Sequence, residues 1–578
     1  MFKKASVVIV PTAILFLCFT GCGKREQTAT PEQAVIEEAV GVVQESEQYD
    51  DEADFEFTIS SDSSSVTITN YVGGKQNIRI PSRLQGLPVT IIEETAFVGR
   101  QIVSVTIPSS VVTIGKMAFA SNRLADVVIP NGVTTIGKSA FAHNQLVGIV
   151  IPNNVTEIGE AAFAENRRLA SVVISNSVTT ISKNAFAESR GLTNITIPSS
   201  VVTIEEGAFT GSRLTRVDIP NSVTTIGQWA FSHNQLTSVV IPNSVTKIGA
   251  GIFRSNQLTG IIIPSSVTEI GEGAFQNNRL TSVIIPSSVT EIGREAFAGN
   301  QLTNITIPNS VTAIGRWAFA GNRLTDVTIP SSVTAIGVGA FVGNPLRNIF
   351  VASDNPIYTV KDFFLLGANG ERLAMYYGNE KNITIPDGVT LIEDNVFAGK
   401  QLTGVTIPNS VTTIGHSAFH RNQLTSVTIP NSVTTIGGWA FYGNQLTDIT
   451  IPNAVTTIEW GAFSSNRLTN VTIPNSVTTI ESHAFVANQL TSITIPSSVT
   501  EIGMEAFGSQ LTSITIGANV KVVYEVECEQ DYEVEVECAD EDDAVQHAFG
   551  DSFTEFYNAQ GRAAGTYTQH NYVWSREE

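Results

Sequence analysis

The chain has 578 residues and a formal net charge of -21, yet only 15% of its residues are charged and 42% are hydrophobic. The acid excess sits at the ends: residues 23–56 hold 11 acidic and 2 basic side chains, residues 518–578 hold 15 and 3, and the body between holds 28 and 26. A neutral or acidic surface repels a phosphate backbone, which argues against nucleic acid as a partner, and four cysteines confined to the two ends exclude a core built on disulfides.

Lys3 and Lys4 precede an apolar run from Ala5 to Phe19, broken once by Pro11. The run is short for a membrane-crossing helix and suits an export signal over residues 1–21. Its end, Phe19-Thr20-Gly21-Cys22, resembles a bacterial lipobox, with Phe19 where Leu is usual. The resemblance implies that Cys22 is diacylated and becomes the new N-terminus, anchoring the chain to a membrane without spanning it. A cleaved signal with an incidental Cys22 is the alternative. Residues 22–54 are rich in Glu, Gln, Ala and Thr and read as an acidic disordered tether.

From about residue 77 the sequence repeats. One unit runs Leu236-Thr-Ser-Val-Val-Ile-Pro242, then Asn-Ser-Val-Thr-Lys-Ile-Gly249, then Ile252-Phe253, where Ala-Phe is the commoner ending. Eighteen phenylalanines share one slot, from Phe97 to Phe341 and again from Phe397 to Phe507, mostly 22 residues apart. A fixed short period with fixed apolar slots marks a solenoid. Leu, Val and Ile alternate inward along a short strand, proline ends it, and Val and Ile of the second half form another inward face. The phenylalanines should stack into a continuous spine. An asparagine recurs between Phe and the next Leu in thirteen units, from Asn122 to Asn488. Its amide is expected to hydrogen-bond the turns of adjacent coils.

The unit Leu-x-x-Val-x-Ile-Pro-x-x-Val-x-x-Ile-Gly-x-x-Ala-Phe resembles the BspA-type leucine-rich repeat of bacterial surface proteins, including treponemal ones. The family commonly has units one residue longer than most of those here, and Cys at the slot held here by Asn. The resemblance implies a repeat solenoid, mostly β, of leucine-rich repeats of about 22–23 residues with N- and C-terminal caps. Residues 55–100 form the N-terminal cap and first repeat, 101–349 a first repeat block and 382–517 a second. Residues 350–381 break the period, and Phe363 to Tyr377, with Asn369-Gly370 at its middle, reads as a hairpin. Residues 518–578 form an acidic β segment and C-terminal cap. Val522 to Cys538 alternates Val or Cys with Glu, placing Cys528 and Cys538 on one face. A disulfide between them fits an exported protein, although a turn at Gln530-Asp531 would not set them opposite each other.

No catalytic pattern stands out: there is no phosphate-cradling glycine loop, nucleophile elbow or carboxylate pair. The seven histidines are scattered; His416 and His420 could meet on one turn, but no Cys or carboxylate set completes a metal site. Neither an enzyme nor a cofactor is expected. Outward strand positions carry Thr, Val, Ile, Ser and Asn, with Thr384, Thr406, Thr428, Thr450, Thr472 and Thr494 in one row. Strands at the usual spacing make this face ~85 Å long. Trp229, Trp317 and Trp439 precede Ala-Phe in a slot that should be exposed, and Trp460 lies one residue earlier in its unit. These four are candidate ligand-binding aromatics, and Trp439 and Trp460 could form one patch. The expectation is a lipid-anchored cell-envelope scaffold, outer-membrane and surface-exposed, that binds a protein ligand. The resemblance implies adhesion to host matrix or plasma proteins such as fibronectin and fibrinogen. A periplasm-facing scaffold and a carbohydrate-binding surface protein are the alternatives.

Overall fold

The computed structural model describes residues 49–508, 510–518, 520–522, 560, 562–570 and 573–576. Each unit folds into one coil with three sides. On the first, a short strand such as Asn194–Thr196 lies parallel to Arg216–Asp218 of the next coil, with Ile195 opposite Val217. The proline that follows has no amide to donate; its carbonyl accepts from the valine three residues on, as in Val245 N to Pro242 O at 3.1 Å. That turn starts the second side, a two-residue Thr-Ile strand that again pairs in parallel, as Thr203–Ile204 does with Thr225–Ile226. The third side is the Ala-Phe turn. Here the amides of Trp317, Phe319 and Gly321 donate to the carbonyls of Val338, Ala340 and Val342 in the next coil, at 3.1, 2.8 and 2.8 Å.

Inward slots are closed to solvent: Phe231, Leu236 and Ala230 are fully buried. Burial of each Phe stabilises by roughly 1.5–3 kcal/mol before chain entropy is charged. The rings stack coil upon coil at centroid distances of 4.9 Å for Phe97–Phe119 and 5.5 Å for Phe319–Phe341. The expected continuous spine is interrupted. It stops at Phe341 and resumes at Phe397–Phe419, 5.0 Å apart, and the buried side chains form two cores accordingly. The cause is the irregular segment, which inserts three antiparallel strands, Thr359–Lys361, Phe364–Gly367 and Arg372–Tyr376, instead of a coil. The hairpin turns at Asn369 and Gly370, both with positive φ, as the Asn-Gly pair requires.

The ends are closed differently. Residues 50–54, assigned to the tether by composition, pack on the first coil: the Asp50 carboxylate accepts from the Arg79 amide at 2.8 Å and pairs with Lys75 at 2.7 Å. The strand Phe55–Ile59 then runs antiparallel to Val66–Tyr71. At the other end Gly565–His570 pairs antiparallel with Ser513–Ile516, and Tyr567 is fully buried.

The recurring asparagine sits under the Ala-Phe turn. Asn256 Nδ2 donates to Phe253 O of its own coil at 3.2 Å and to Phe231 O of the coil before at 2.9 Å. Its Oδ1 accepts from the Leu236 amide at 3.0 Å. The same set recurs from Asn122 to Asn488. Alanine at 256 leaves the buried Leu236 amide without a partner, so Asn256→Ala should cost about 2–4 kcal/mol in denaturant unfolding. Asn344, half-buried at the end of its block, should cost about half as much; equal losses would show that burial does not set the strength of the ladder.

Candidate functional site

The slot before Ala-Phe has a left-handed backbone, with φ of 56° at Trp229, 54° at Trp317 and 53° at Trp439. A bulky side chain costs roughly 1–2 kcal/mol there. The coil after each of these tryptophans has glycine in the same slot, at 251, 339 and 461. A Cβ at Gly461 would collide with the Trp439 indole, so the ring lies across that glycine. Trp229 is exposed, as the sequence leads one to expect. Trp317 and Trp439 are only half-buried instead, because neighbours cover them. The Arg316 and Arg294 guanidinium groups stand 4.3 and 5.4 Å from the Trp317 ring. Trp229 and Trp317 are four coils apart and do not meet.

Trp439 and Trp460 do meet, with ring centroids 4.3 Å apart. Four residues join them: His416 and His420, which the sequence sets on one turn, and His483 and Tyr442, which it does not connect to the tryptophans. His416 lies 5.3 Å from Trp439, and His420 stacks on Tyr442 at 4.8 Å. Trp460 Nε1 donates to His483 Nδ1 at 3.1 Å. The signal was the repeat itself: His420 and Tyr442 are one ordinary repeat step apart, and Trp460 and His483 one step and a single further position.

Burial lowers the pKa of His416, His420 and His483, which favours the neutral form of each imidazole. Beneath it Glu459 and Glu481 replace two successive repeat glycines. Burial, and then the Glu481 carboxylate beside it, push Glu459 up to about 7. The Glu481 carboxylate also accepts from the Trp460 amide at 2.9 Å. Glu481 thereby ties down the backbone of Trp460.

A second feature lies on the first side of the coils. Val240, Ile262 and Ile284 are 76%, 81% and 82% exposed and adjoin in one ladder. Their outward neighbours along each strand are Ser238, Gly260 and Ser282, too small to cover them. Val128, Val150 and Val173 make a similar column nearer the N-terminus, while the second block carries its threonine row. Cys22, Cys528 and Cys538, the lipid anchor and the disulfide lie outside the described residues. Among the described residues no group of three or more His, Cys, Asp or Glu is placed to hold a metal, and no helix is long and apolar enough to cross a membrane.

The folded chain holds the Glu459 proton to about pH 7, whereas the unfolded chain releases it near its ordinary value of 4.5. Stability is therefore lost as pH rises between those values. The histidines act oppositely, costing stability as pH falls below their unfolded value of 6.5. Glu459→Gln should raise the melting temperature by a few degrees at pH 8 and leave it unchanged near pH 4.5. It should also remove a tryptophan-fluorescence transition centred near pH 7; a transition that persists would assign the titration to another group.

Comparison with known families places these features in context. The model described as BspA type Leucine rich repeat region (6 copies) matches residues 70–170, 156–279, 268–365, 371–488 and 441–529. No curated protein matches the chain. Similar solved structures include a leucine-rich repeat protein from Bacteroides ovatus, 19% identical over 80% of this chain and 95% of that one, with a TM-score of 0.38. One from Eubacterium ventriosum is 26% identical over 47% and 82%, with a TM-score of 0.35. A leucine rich cell surface protein from Faecalibacterium prausnitzii is 23% identical over 79% and 90%, with a TM-score of 0.31. With the repeat matched over most of its length, the chain belongs to the BspA-type leucine-rich repeat family.

Proposed function

We propose that the protein is a lipid-anchored cell-surface scaffold that binds a protein ligand, a host matrix or plasma protein or another cell's surface protein, through the first block. The observation that carries this reading is the column Val240, Ile262 and Ile284, each more than three-quarters exposed. Val and Ile favour strands, but threonine serves the same positions throughout the second block without the cost of wetting an apolar surface. The repeat body is close to charge-neutral, so apolar contact and hydrogen bonding would carry recognition, with little dependence on salt. The aromatic patch at Trp439 and Trp460 favours a second reading, a carbohydrate ligand stacked on the rings. Loss of glycan-array binding on Trp460→Ala would support it.

Protease applied to intact cells, with a periplasmic protein as control, tests the location. Loss of the solenoid while the control survives is expected; survival until the outer membrane is broken would make a periplasmic scaffold the better reading. On the purified protein, Ile262→Lys should weaken binding to immobilised fibronectin or fibrinogen by more than about tenfold. Thr450→Lys, at the matching position of the second block, should leave it unchanged. Equal effects would remove the column from the binding face.

A further inference from the structure

The segment that breaks the phenylalanine spine is a second copy of the N-terminal cap. Phe55, Tyr71 and Phe97 pack with centroid distances of 5.5, 6.3 and 5.5 Å, and Phe364, Tyr376 and Phe397 with 5.1, 6.4 and 5.4 Å. In both, an antiparallel strand pair leads into a parallel one: Val66–Tyr71 with Leu87–Ile92, and Arg372–Tyr376 with Leu391–Ile392. The same landmarks then follow in the same order, with Asn77-Ile78-Arg79-Ile80-Pro81 matching Asn382-Ile383-Thr384-Ile385-Pro386 and Gly99-Arg100-Gln101 matching Gly399-Lys400-Gln401, although the stretch between them is five residues shorter in the second copy. The first block therefore ends where a new cap begins, and its last coil must satisfy its backbone against something other than another coil.

Two of its three sides do so. Asp326–Ile329 pairs with Asn348–Val351 on the first. On the second, the Ile336 amide donates to the Tyr358 hydroxyl at 2.7 Å. On the third, the row of donors continues with Gly339, Phe341 and Gly343, one coil after Trp317, Phe319 and Gly321. Among the described residues no acceptor meets these three amides. They line a cavity of about 280 Å³ whose apolar wall includes Val342, Met375 and Tyr376. Lys400 lines it too, with its ammonium 5.6 Å from the Tyr376 ring and no hydrogen bond or ion pair among the described residues. Its counterpart in the first cap, Arg100, is exposed and donates to Asn70 Oδ1 at 2.9 Å. Burial lowers the Lys400 pKa; Asp394, which also lines the cavity, makes no ion pair with it and accepts instead from the His416 amide at 2.8 Å. A cation without an ion pair and a row of amides without a protein acceptor, set beside an apolar wall, together describe half of an anion site.

We propose that this cavity binds a small organic carboxylate, whose oxygens take the amides of Gly339, Phe341 and Gly343 and the Lys400 ammonium while its apolar body lies against Val342, Met375 and Tyr376. The site is separate from the column of the first block and from the aromatic patch, and it stands whether or not either binds a partner.

Calorimetric titration of the full chain with hexanoate tests it, with hexanol and inorganic phosphate as the other arms. Saturable binding of one hexanoate per chain is expected, unaffected by phosphate and absent for hexanol. Lys400→Met should weaken it by at least about tenfold, and Arg100→Met should leave it unchanged. Because Lys400→Met removes a half-buried, unanswered charge, its melting temperature should equal or exceed that of the parent, which separates lost binding from lost folding. In the unaltered protein, hexanoate should also slow acetylation of Lys400, read by mass spectrometry. No saturable hexanoate binding, binding that Lys400→Met leaves intact, or phosphate taken up in its place would each overturn the proposal.

Discussion

The structure depends on a demand made by buried backbone: each amide and carbonyl of a coil interior needs a partner, and outside the tight turns that partner is one coil away. Phe319 donates to Ala340 and Thr203 stands beside Thr225, on different sides but with nearly the same separation in sequence. A coil with one residue too many would misalign every side at once unless its neighbour changed too. The longer step is accommodated in this way, since Glu157 pairs with Thr180 and Thr180 with Thr203, each pairing reaching one position further along the chain than the usual repeat. The asparagine closes the one place where strand geometry provides no partner. Its amide reaches two carbonyls and one N–H across the corner between Phe and Leu. A cysteine there, as the family commonly has, would offer only a weak donor.

Once period and slots are fixed, the outer positions become independent of the fold, and chemistry can be added one coil at a time. It is not added at random. A tryptophan in the left-handed slot is tolerated because the next coil offers glycine for the indole to lie on, and the pairing recurs at 229 and 251, 317 and 339, and 439 and 461. Two adjacent coils thus share one aromatic feature. The patch around Trp439 extends this across further coils, with His416, Tyr442, Trp460 and His483 joining it and Glu459 with Glu481 beneath.

The inward half of the repeat was legible in the sequence because burial imposes a strict pattern. Phe, Leu, Val, Ile and Asn recur in slots that the fold then fills as expected. What escaped was whatever that pattern does not constrain. That outward positions carry Val and Ile was legible, but the column Val240, Ile262 and Ile284 was not singled out, because it is the small Ser238, Gly260 and Ser282 beside it that leave it uncovered. The histidines looked scattered because they were compared along the chain and not across coils. The second cap escaped because the stretch from Phe55 to Tyr71 is longer than that from Phe364 to Tyr376, so the loop between the strands hides the likeness.

That second cap changes how the chain should be regarded. A single long array needs one lid at each end, both facing water, and unmet donors at such an end are hydrated at little cost. Here the first array ends in the middle of the molecule, under a lid that belongs to the second. Tyr358 takes one amide and the strand Asn348–Val351 takes the edge beside it, so the junction is sealed on two sides by groups supplied for that purpose. The third side could have been closed in the same way by one more carbonyl or side-chain acceptor, as it is in the coils before it. Instead it retains a half-buried lysine without an ion pair and a row of amides without a protein acceptor. In a fold whose coils are satisfied by repetition, the position where repetition stops is also the position where a ligand can replace the missing coil.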